Sequence, residues 1–546
     1  MSPIDPVTLS TETLRFLLPE IVIVLIATAM MTAGPFVNWP RRVWSTITCF
    51  ALLIALGVLA LPASGPDVYS TVVSNDALAM YARIGLVLAG LIVIALAEDQ
   101  VDSSRAAEFF GAILMVHAGA MLVASANELV FLFAGLELVS IPTYLLLYLP
   151  RRTLATQEAA TKYFFLSIFS SAILLFGLAY LYGLTGVSNL KALAFLTHQP
   201  GDFAQALEPT FAVVALVFVL AGLSFRVAAV PFHFYAPDVY QGSPLVMAAL
   251  LSWIPKAVGF LALLRTLTAV FGFETGGAGV DGSFLAQISG KAVWLTAIVA
   301  VATMTLGNTV ALAQDNLKRL LAYSSIAHAG YLLIGVAAAF RNGAGQGAAV
   351  LGADAVVFYL GTYALMTLGA FGVILALGTR EQPVERIDDL AGLSRTHPWA
   401  ALALAICLFS LAGIPPLAGF WGKLRIFQSA LEVARGEDAQ LFLGLVVLGA
   451  INAAIGAYYY LRIVVTMAFR EPGEVLEPRP GWPALLAVGV CAGLSLFVGL
   501  VPGPLADAAR MSGVAAVALP SPTGSPLPGP VVEREMVTAV AAGAPR

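Results

Sequence analysis

FAVVALVFVLAGLSFRVAAVPFHFYAP, residues 211–237, is an apolar run of membrane-spanning length that breaks before it is complete. A bilayer-spanning helix needs about 20 apolar residues. Here Arg226 and then Val230-Pro231 interrupt the run, and Pro237 follows. A proline inside a helix removes a backbone hydrogen bond and clashes with the preceding turn. In hydrocarbon the freed groups need other partners, so a broken helix must line protein or a wet cavity. WAALALAICLFSLAGIPPLAGFWGKLRIFQSA, residues 399–430, repeats the pattern with its break at Ile414-Pro415-Pro416.

Around these two stretches the chain carries further apolar runs. Candidate spans lie near 16–34, 43–61, 77–97, 108–126, 129–149, 161–184, 210–231, 244–270, 291–313, 318–340, 354–378, 399–430, 441–469 and 483–502. The reading is an all-α integral membrane fold of about fourteen transmembrane helices. Composition agrees: 59% of residues are hydrophobic, 11% are charged, and mean hydropathy is +0.89. A soluble domain carries roughly 25% charged residues. A net charge of −4 gives no footprint for nucleic acid.

The broken spans are the seventh and the twelfth. Five helices apart, they run in opposite directions, as two inverted five-helix repeats (helices 4–8 and 9–13) would require. That is an architecture of ion transporters. The alternative is two unrelated packing kinks.

Loop charge gives an orientation. Arg41, Arg42, Arg105, Arg151, Arg152, Lys318, Arg319, Arg380, Arg386, Arg395, Arg470 and Arg479 fall in alternate connections. The opposite set is half as large: Arg15, Lys191, Lys291, Arg341, Arg435 and Arg510. The positive-inside rule places the richer set in the cytoplasm and both termini on the other side. The start, MSPIDPVTLSTETLRF, has no basic region ahead of a short apolar stretch, so no cleavable signal is expected. Residues 1–502 read as one polytopic membrane domain, with its transport core at about 108–469. Residues 503–546 read as a disordered tail rich in Pro, Ala and Ser.

Cys49, Cys407 and Cys491 lie far apart in apolar runs. They form no metal or iron–sulfur spacing, and no glycine-rich nucleotide loop follows a strand. No cofactor or metal is expected on this chain.

Ionisable residues at mid-membrane depth are costly, and by default functional or paired. Glu137 sits in AGLELVSIP, about 12 Å into helix 5 at 1.5 Å per residue. Arg226 precedes the break in helix 7, Lys256 lies near the middle of helix 8, His328 lies in helix 10, and Lys423 follows the break in helix 12. Desolvation lowers a buried lysine's proton affinity and a nearby carboxylate restores it. A line of one glutamate and two lysines therefore suits a proton path; the alternative is a set of structural ion pairs. His328 and His233 could titrate or simply pack, and His117 is no better placed. Lys162 follows Glu158 by four residues, which suits either proton uptake or a helix-surface anchor. Arg462, in YYYLRIVV, reads as a structural charge near a membrane face.

Val230–Pro244 (VPFHFYAPDVYQGSP), Asn316–Tyr331 (NLKRLLAYSSIAHAGY) and Leu411–Lys423 (LAGIPPLAGFWGK) resemble the antiporter-like subunit N family of bacterial respiratory complex I. Its mitochondrial counterpart is NADH dehydrogenase subunit 2. The resemblance covers roughly residues 10–500. Related subunits L and M and Mrp antiporter subunits share the PFH and LKR-AYSS cores, but the PDVYQG and GIPPLAGFWGK forms favour subunit N.

The resemblance implies the fourteen-helix fold and a place in the inner-membrane arm of NADH:quinone oxidoreductase. There electron transfer from NADH to quinone drives protons outward. NAD, FMN, iron–sulfur clusters and quinone would belong to other subunits. The expected neighbours are antiporter-like subunit M and subunit K type chains, within the lipid bilayer. By the same resemblance Glu137 matches the glutamate that tunes the helix 7 base, and Lys256 the central lysine of the proton axis. Lys423 matches the lysine near the exit half-channel, and His328 a histidine between them.

One position departs from the family pattern. The family usually has lysine before the helix 7 break, where this chain has Arg226 in SFRVAAVPFH. Arginine keeps its proton at physiological pH, so Arg226 is expected to act as a fixed charge. The alternatives are a subunit of a cation/proton antiporter or membrane-bound hydrogenase, and a complex I subunit that assembles without pumping.

Overall fold

The computed structural model describes residues 13–61, 72–149, 153–198, 209–271, 284–340, 347–379, 383–434, 438–472 and 481–517. Thirteen of its helices are long and apolar enough to cross a membrane. They are, with the twelfth place held by a broken pair, α1 (Leu18–Ala33), α2 (Arg41–Leu59), α3 (Ala77–Ala97), α4 (Ala106–Ser125), α5 (Leu129–Tyr148), α6 (Leu154–Thr185), α7a (Pro209–Val227), α8 (Leu245–Phe271), α9 (Phe284–Ala311), α10 (Leu317–Phe340), α11 (Gly347–Leu377), α13 (Ala439–Phe469) and α14 (Trp482–Leu500). The broken pair is α12a (Pro398–Ala412) and α12b (Ala418–Val433). The chain is a multi-pass membrane protein, with thirteen such spans and the broken pair among the described residues.

Both expected breaks are present. α7a ends at Val227, and the chain turns before a short helix, α7b (Tyr235–Gly242). The second break joins α12a to α12b through Gly413, whose φ of 88° is open to glycine at little cost. The first break has Ala228 at φ 57° instead. An L-residue in that region carries strain of about 1–2 kcal/mol, against which glycine's extra chain entropy offsets part. Ala228→Gly is therefore expected to stabilise the chain by about 1 kcal/mol or less, read as a higher thermal midpoint of the purified complex. A lower midpoint would mean the Ala228 methyl, only 4% exposed, contributes more by packing than it costs in strain.

α8, α10 and α11 form the centre. Their spans are almost wholly buried, whereas α1, α13 and the outer faces of α6 and α14 carry much exposed apolar surface. A helix apolar all round belongs in the middle of such a bundle, and bilayer lipid is the natural solvent for the outer faces. Glycines allow the closest crossings. A Cβ at Gly330 would meet the α9 backbone at Met304 at 2.5 Å, and one at Gly222 would meet Leu174 of α6 at 2.6 Å. Prolines 142 and 255 sit inside α5 and α8 without ending either helix.

One expectation is corrected. The stretch from 503 was read as tail, but Gly503–Val517 is a helix, α15, packed on α11 and α3. Ala509 and Ser512 are buried, and Ser512 Oγ bonds the carbonyl of Ala77 at 3.3 Å. Pro504 does not oppose this helix, because in a first turn its missing N–H costs nothing. The rest of the expected tail, from 518, lies outside the described residues.

Candidate functional site

Arg226 is the next-to-last residue of α7a and is 3% exposed. Its Nη2 lies 2.8 Å from Glu137 Oε1 on α5 and donates to Ser171 Oγ on α6 at 3.1 Å. Its Nη1 donates to Ser140 Oγ. Ser171 in turn donates to Glu137 Oε1 at 2.5 Å. The guanidinium is thus held by a carboxylate and two hydroxyls, the arrangement a buried arginine needs.

The two lysines are held differently. Lys256 projects from α8, immediately after Pro255, and is 2% exposed. Its Nζ donates to the carbonyl of Val227 at 3.0 Å. Val227 is the last residue of α7a, so this carbonyl belongs to a helix terminus with no partner of its own. Lys423, on α12b and 6% exposed, donates to the carbonyls of Leu411 and Ala412 at 2.9 and 2.8 Å. Those are the last two residues of α12a. Its Nζ also sits over the Tyr331 ring, 5.2 Å from the centroid.

Each lysine therefore caps the C-terminal end of a broken helix. Helix C-termini carry roughly half a negative charge, which favours a cation there. Neither lysine has a carboxylate within ion-pair distance among the described residues. An ammonium held by neutral carbonyls is stabilised less than one held by a carboxylate, so it is easier to deprotonate in place.

His328 packs on Tyr331, the ring over which the Lys423 ammonium sits. Its Nδ1 is 2.5 Å from Tyr359 Oη and its Nε2 3.0 Å from Tyr460 Oη. Tyr363 and Tyr331 pack their rings against the imidazole, at 5.0 and 5.9 Å between centroids. Beyond Tyr331, hydrogen bonds run through Asn308 to Tyr459 (3.0 Å) and to Asn452 (3.3 Å). This tyrosine cage escaped the sequence reading. One signal was available: in YYYLR a helix turns 100° per residue, and Tyr458 is 62% exposed while Tyr459 and Tyr460 are buried.

Lys162 is not part of this buried set. It bonds Glu158 and Asp238, each at 2.7 Å, and Asp238 also bonds Arg319 at 2.7 Å. The group ties α6, α7b and α10 together at one end of the bundle, with Lys162's side chain 38% exposed. Arg462 pairs with Asp315 at 2.5 Å, also near the bundle end. His117 is fully buried, with Nδ1 2.7 Å from the carbonyl of Ile113 four residues back. It lies on α4, outside the set above. His233 sits in the turn after α7a and is partly buried.

Comparison with known proteins agrees with this architecture. Residues 126–452 match the family NADH:quinone oxidoreductase/Mrp antiporter, transmembrane. NADH-quinone oxidoreductase subunit N of Trichlorobacter lovleyi is 35% identical over 511 residues, 92% of this chain and 97% of that protein. The subunit N of Paramagnetospirillum magneticum is 36% identical over 502 residues, 90% of this chain and 96% of that one. Among solved structures, a chain of respiratory complex I from Thermus thermophilus with bound aureothin is 32% identical. It superposes with a TM-score of 0.71 and covers 90% of this chain and 99% of that chain. A chain of the Mrp complex from Dietzia sp. DQ12-45-1b, 20% identical with a TM-score of 0.75, covers 93% and 98% and shares the fold. The chain belongs to the NADH:quinone oxidoreductase/Mrp antiporter transmembrane family, and within it to the NADH-quinone oxidoreductase subunit N group.

Proposed function

We propose that this chain translocates protons in the membrane arm of a bacterial NADH:quinone oxidoreductase, as one subunit of a translocase-class enzyme. The observation that carries the proposal is the pair of buried lysines, each capping a broken helix without a carboxylate partner. Such a lysine can release a proton without stranding a buried anion. Lys256, His328 and Lys423 form the transfer line, with the tyrosine hydroxyls around His328 as relays. Glu137 and Arg226 supply charge at its start. Redox chemistry with NAD, FMN, iron–sulfur clusters and quinone takes place on other subunits.

The arginine-rich connections face the cytoplasm and both termini face outward, in the cell inner membrane. Neighbouring chains of the subunit M and subunit K types complete the arm. The Glu137 side chain, 23% exposed in the isolated chain, suits a contact through which a neighbour could pull on Arg226. Lys162 serves as an ion-paired anchor at the cytoplasmic end.

The test is NADH-driven proton uptake into membrane vesicles, read per electron. Replacing sodium with choline should leave the ratio unchanged; a fall to background without sodium would favour a cation antiporter. Arg226→Lys should not raise the ratio, because a fixed positive charge is all this position supplies. A higher ratio in that variant would show that the site must exchange a proton and that arginine limits it.

A further inference from the structure

A second large feature lies apart from the lysine line. An apolar groove of about 960 Å³ opens on the lipid-facing side between α2, α3 and α14, and is closed by α8, α11 and α15. On α3 its wall runs from Tyr81 to Glu98, about 26 Å at 1.5 Å per residue, most of a hydrocarbon core of ~30 Å. The rim is made of half-exposed apolar side chains such as Leu88, Leu486 and Phe497. Water gains nothing from such a wall, whereas an acyl chain does.

The groove's one charged lining residue, Glu98, lies at one end with Ser45 and Thr46, and Tyr81 at the other end has its hydroxyl 3.5 Å from the Val357 carbonyl. Glu98 lies 3.3 Å from Arg42, whose side chain is 77% exposed, and Arg41 pairs with Asp99 at 2.6 Å beside it. Trp482, 74% exposed, stands at the same mouth, in the position of an interfacial aromatic. The mouth thus offers cations and anions side by side. That pattern matches a head group carrying both a phosphate and an ammonium.

We propose that this groove is a binding site for a phospholipid of the phosphatidylethanolamine class. Its acyl chains lie along α3 and its phosphate meets Arg42, with the ammonium facing Glu98. At ~30 Å³ per water-sized group the space holds on the order of thirty methylenes, enough for one lipid's chains. A quinone fits less well, because mid-depth in the groove nothing is placed to read its carbonyls. The inner wall includes Trp253 and Ala257, which flank Lys256 along α8, and Trp253 Nε1 bonds the carbonyl of Leu360 at 2.9 Å. A lipid there seals the bundle wall behind the helix that carries Lys256.

Gly85 lines the groove and has open space where a Cβ would stand, so Gly85→Phe fills it without a clash at the first atom. Gly57 on α2 also has open space but does not line the groove, and Gly57→Phe is the control. The intact purified complex would be washed in lipid-free detergent. It would then be offered equal amounts of phosphatidylethanolamine, phosphatidylglycerol and a long-tailed quinone in mixed micelles. Retained molecules per complex are read by mass spectrometry. Wild type and Gly57→Phe should hold one more phosphatidylethanolamine than Gly85→Phe, and Arg42→Glu should lower its retention several-fold. Equal retention in wild type and Gly85→Phe overturns the site, and preferential recovery of phosphatidylglycerol or quinone overturns the occupant. If Gly85→Phe fails to assemble, the surface variant Arg42→Glu decides alone.

Discussion

Lys256→Met is expected to leave the complex assembled while removing this chain's share of the protons moved per electron. The structural cost is small for a specific reason. The Lys256 ammonium has one hydrogen bond, to the Val227 carbonyl, and no ion-pair partner among the described residues. Methionine keeps the length and removes a buried charge, a change that is often neutral or stabilising. The Val227 carbonyl then loses its donor, which costs about 1–3 kcal/mol. The two terms oppose each other, so folding survives. Transfer does not, because among the described residues no other side chain bonds the Val227 carbonyl, and the phenol just past that turn, Tyr235, donates to the Phe225 carbonyl instead. Proton uptake and NADH-to-quinone electron transfer, measured together in vesicles with assembly checked, decide the matter. Lys423→Met should behave alike, and the double variant should be no worse than either single one, since steps in series fail together. Unchanged stoichiometry in all three would make the lysines structural caps and the chain a non-pumping scaffold.

What the sequence disclosed follows from which forces act locally. Apolar runs and prolines are local, so the spans could be read run by run along the chain and both breaks from residues 211–237 and 399–430 alone. The cost of charge in lipid singles out Glu137, Lys256 and Lys423 wherever they fall. Their partners are another matter. That Lys256 meets the end of α7a depends on where α8 crosses it, 29 residues on in the chain. Lys423 is eleven and twelve residues past the carbonyls it caps, yet only the turn through Gly413 brings it back to them. The tyrosine cage is assembled from α10, α11 and α13, and tyrosine is unremarkable in any one membrane helix. The aliphatic groove could not be foreseen at all, since it is formed by residues that look like ordinary apolar positions on six helices.

The Glu137–Arg226 pair should respond asymmetrically to the loss of either partner, and burial sets the order. Arg226's side chain is 2% exposed and Glu137's is 23%. Glu137→Ala leaves a guanidinium buried with only Ser140 and Ser171 beside it. Removing one member of a buried pair costs about 3–5 kcal/mol, and this is the variant expected to reach that range, seen as a lower thermal midpoint and less chain retained in the purified complex. Arg226→Met removes the more deeply buried ion. The carboxylate left behind keeps its bond from Ser171 and has some access to its surroundings, so the cost should be nearer that of one lost hydrogen bond to a charged group, about 1.5–3 kcal/mol. The double variant, with neither charge, should recover most of the Glu137→Ala loss, because its main component is an uncompensated charge rather than a missing attraction. Equal losses in the two single variants, with no recovery in the double, would mean that packing around Arg226 dominates. In that case the pair could not serve as the movable charge at the head of the lysine line. If the predicted order holds, Arg226 is held in place by Glu137 alone among carboxylates, and anything that draws Glu137 aside changes the field at the α7a terminus where Lys256 is bound.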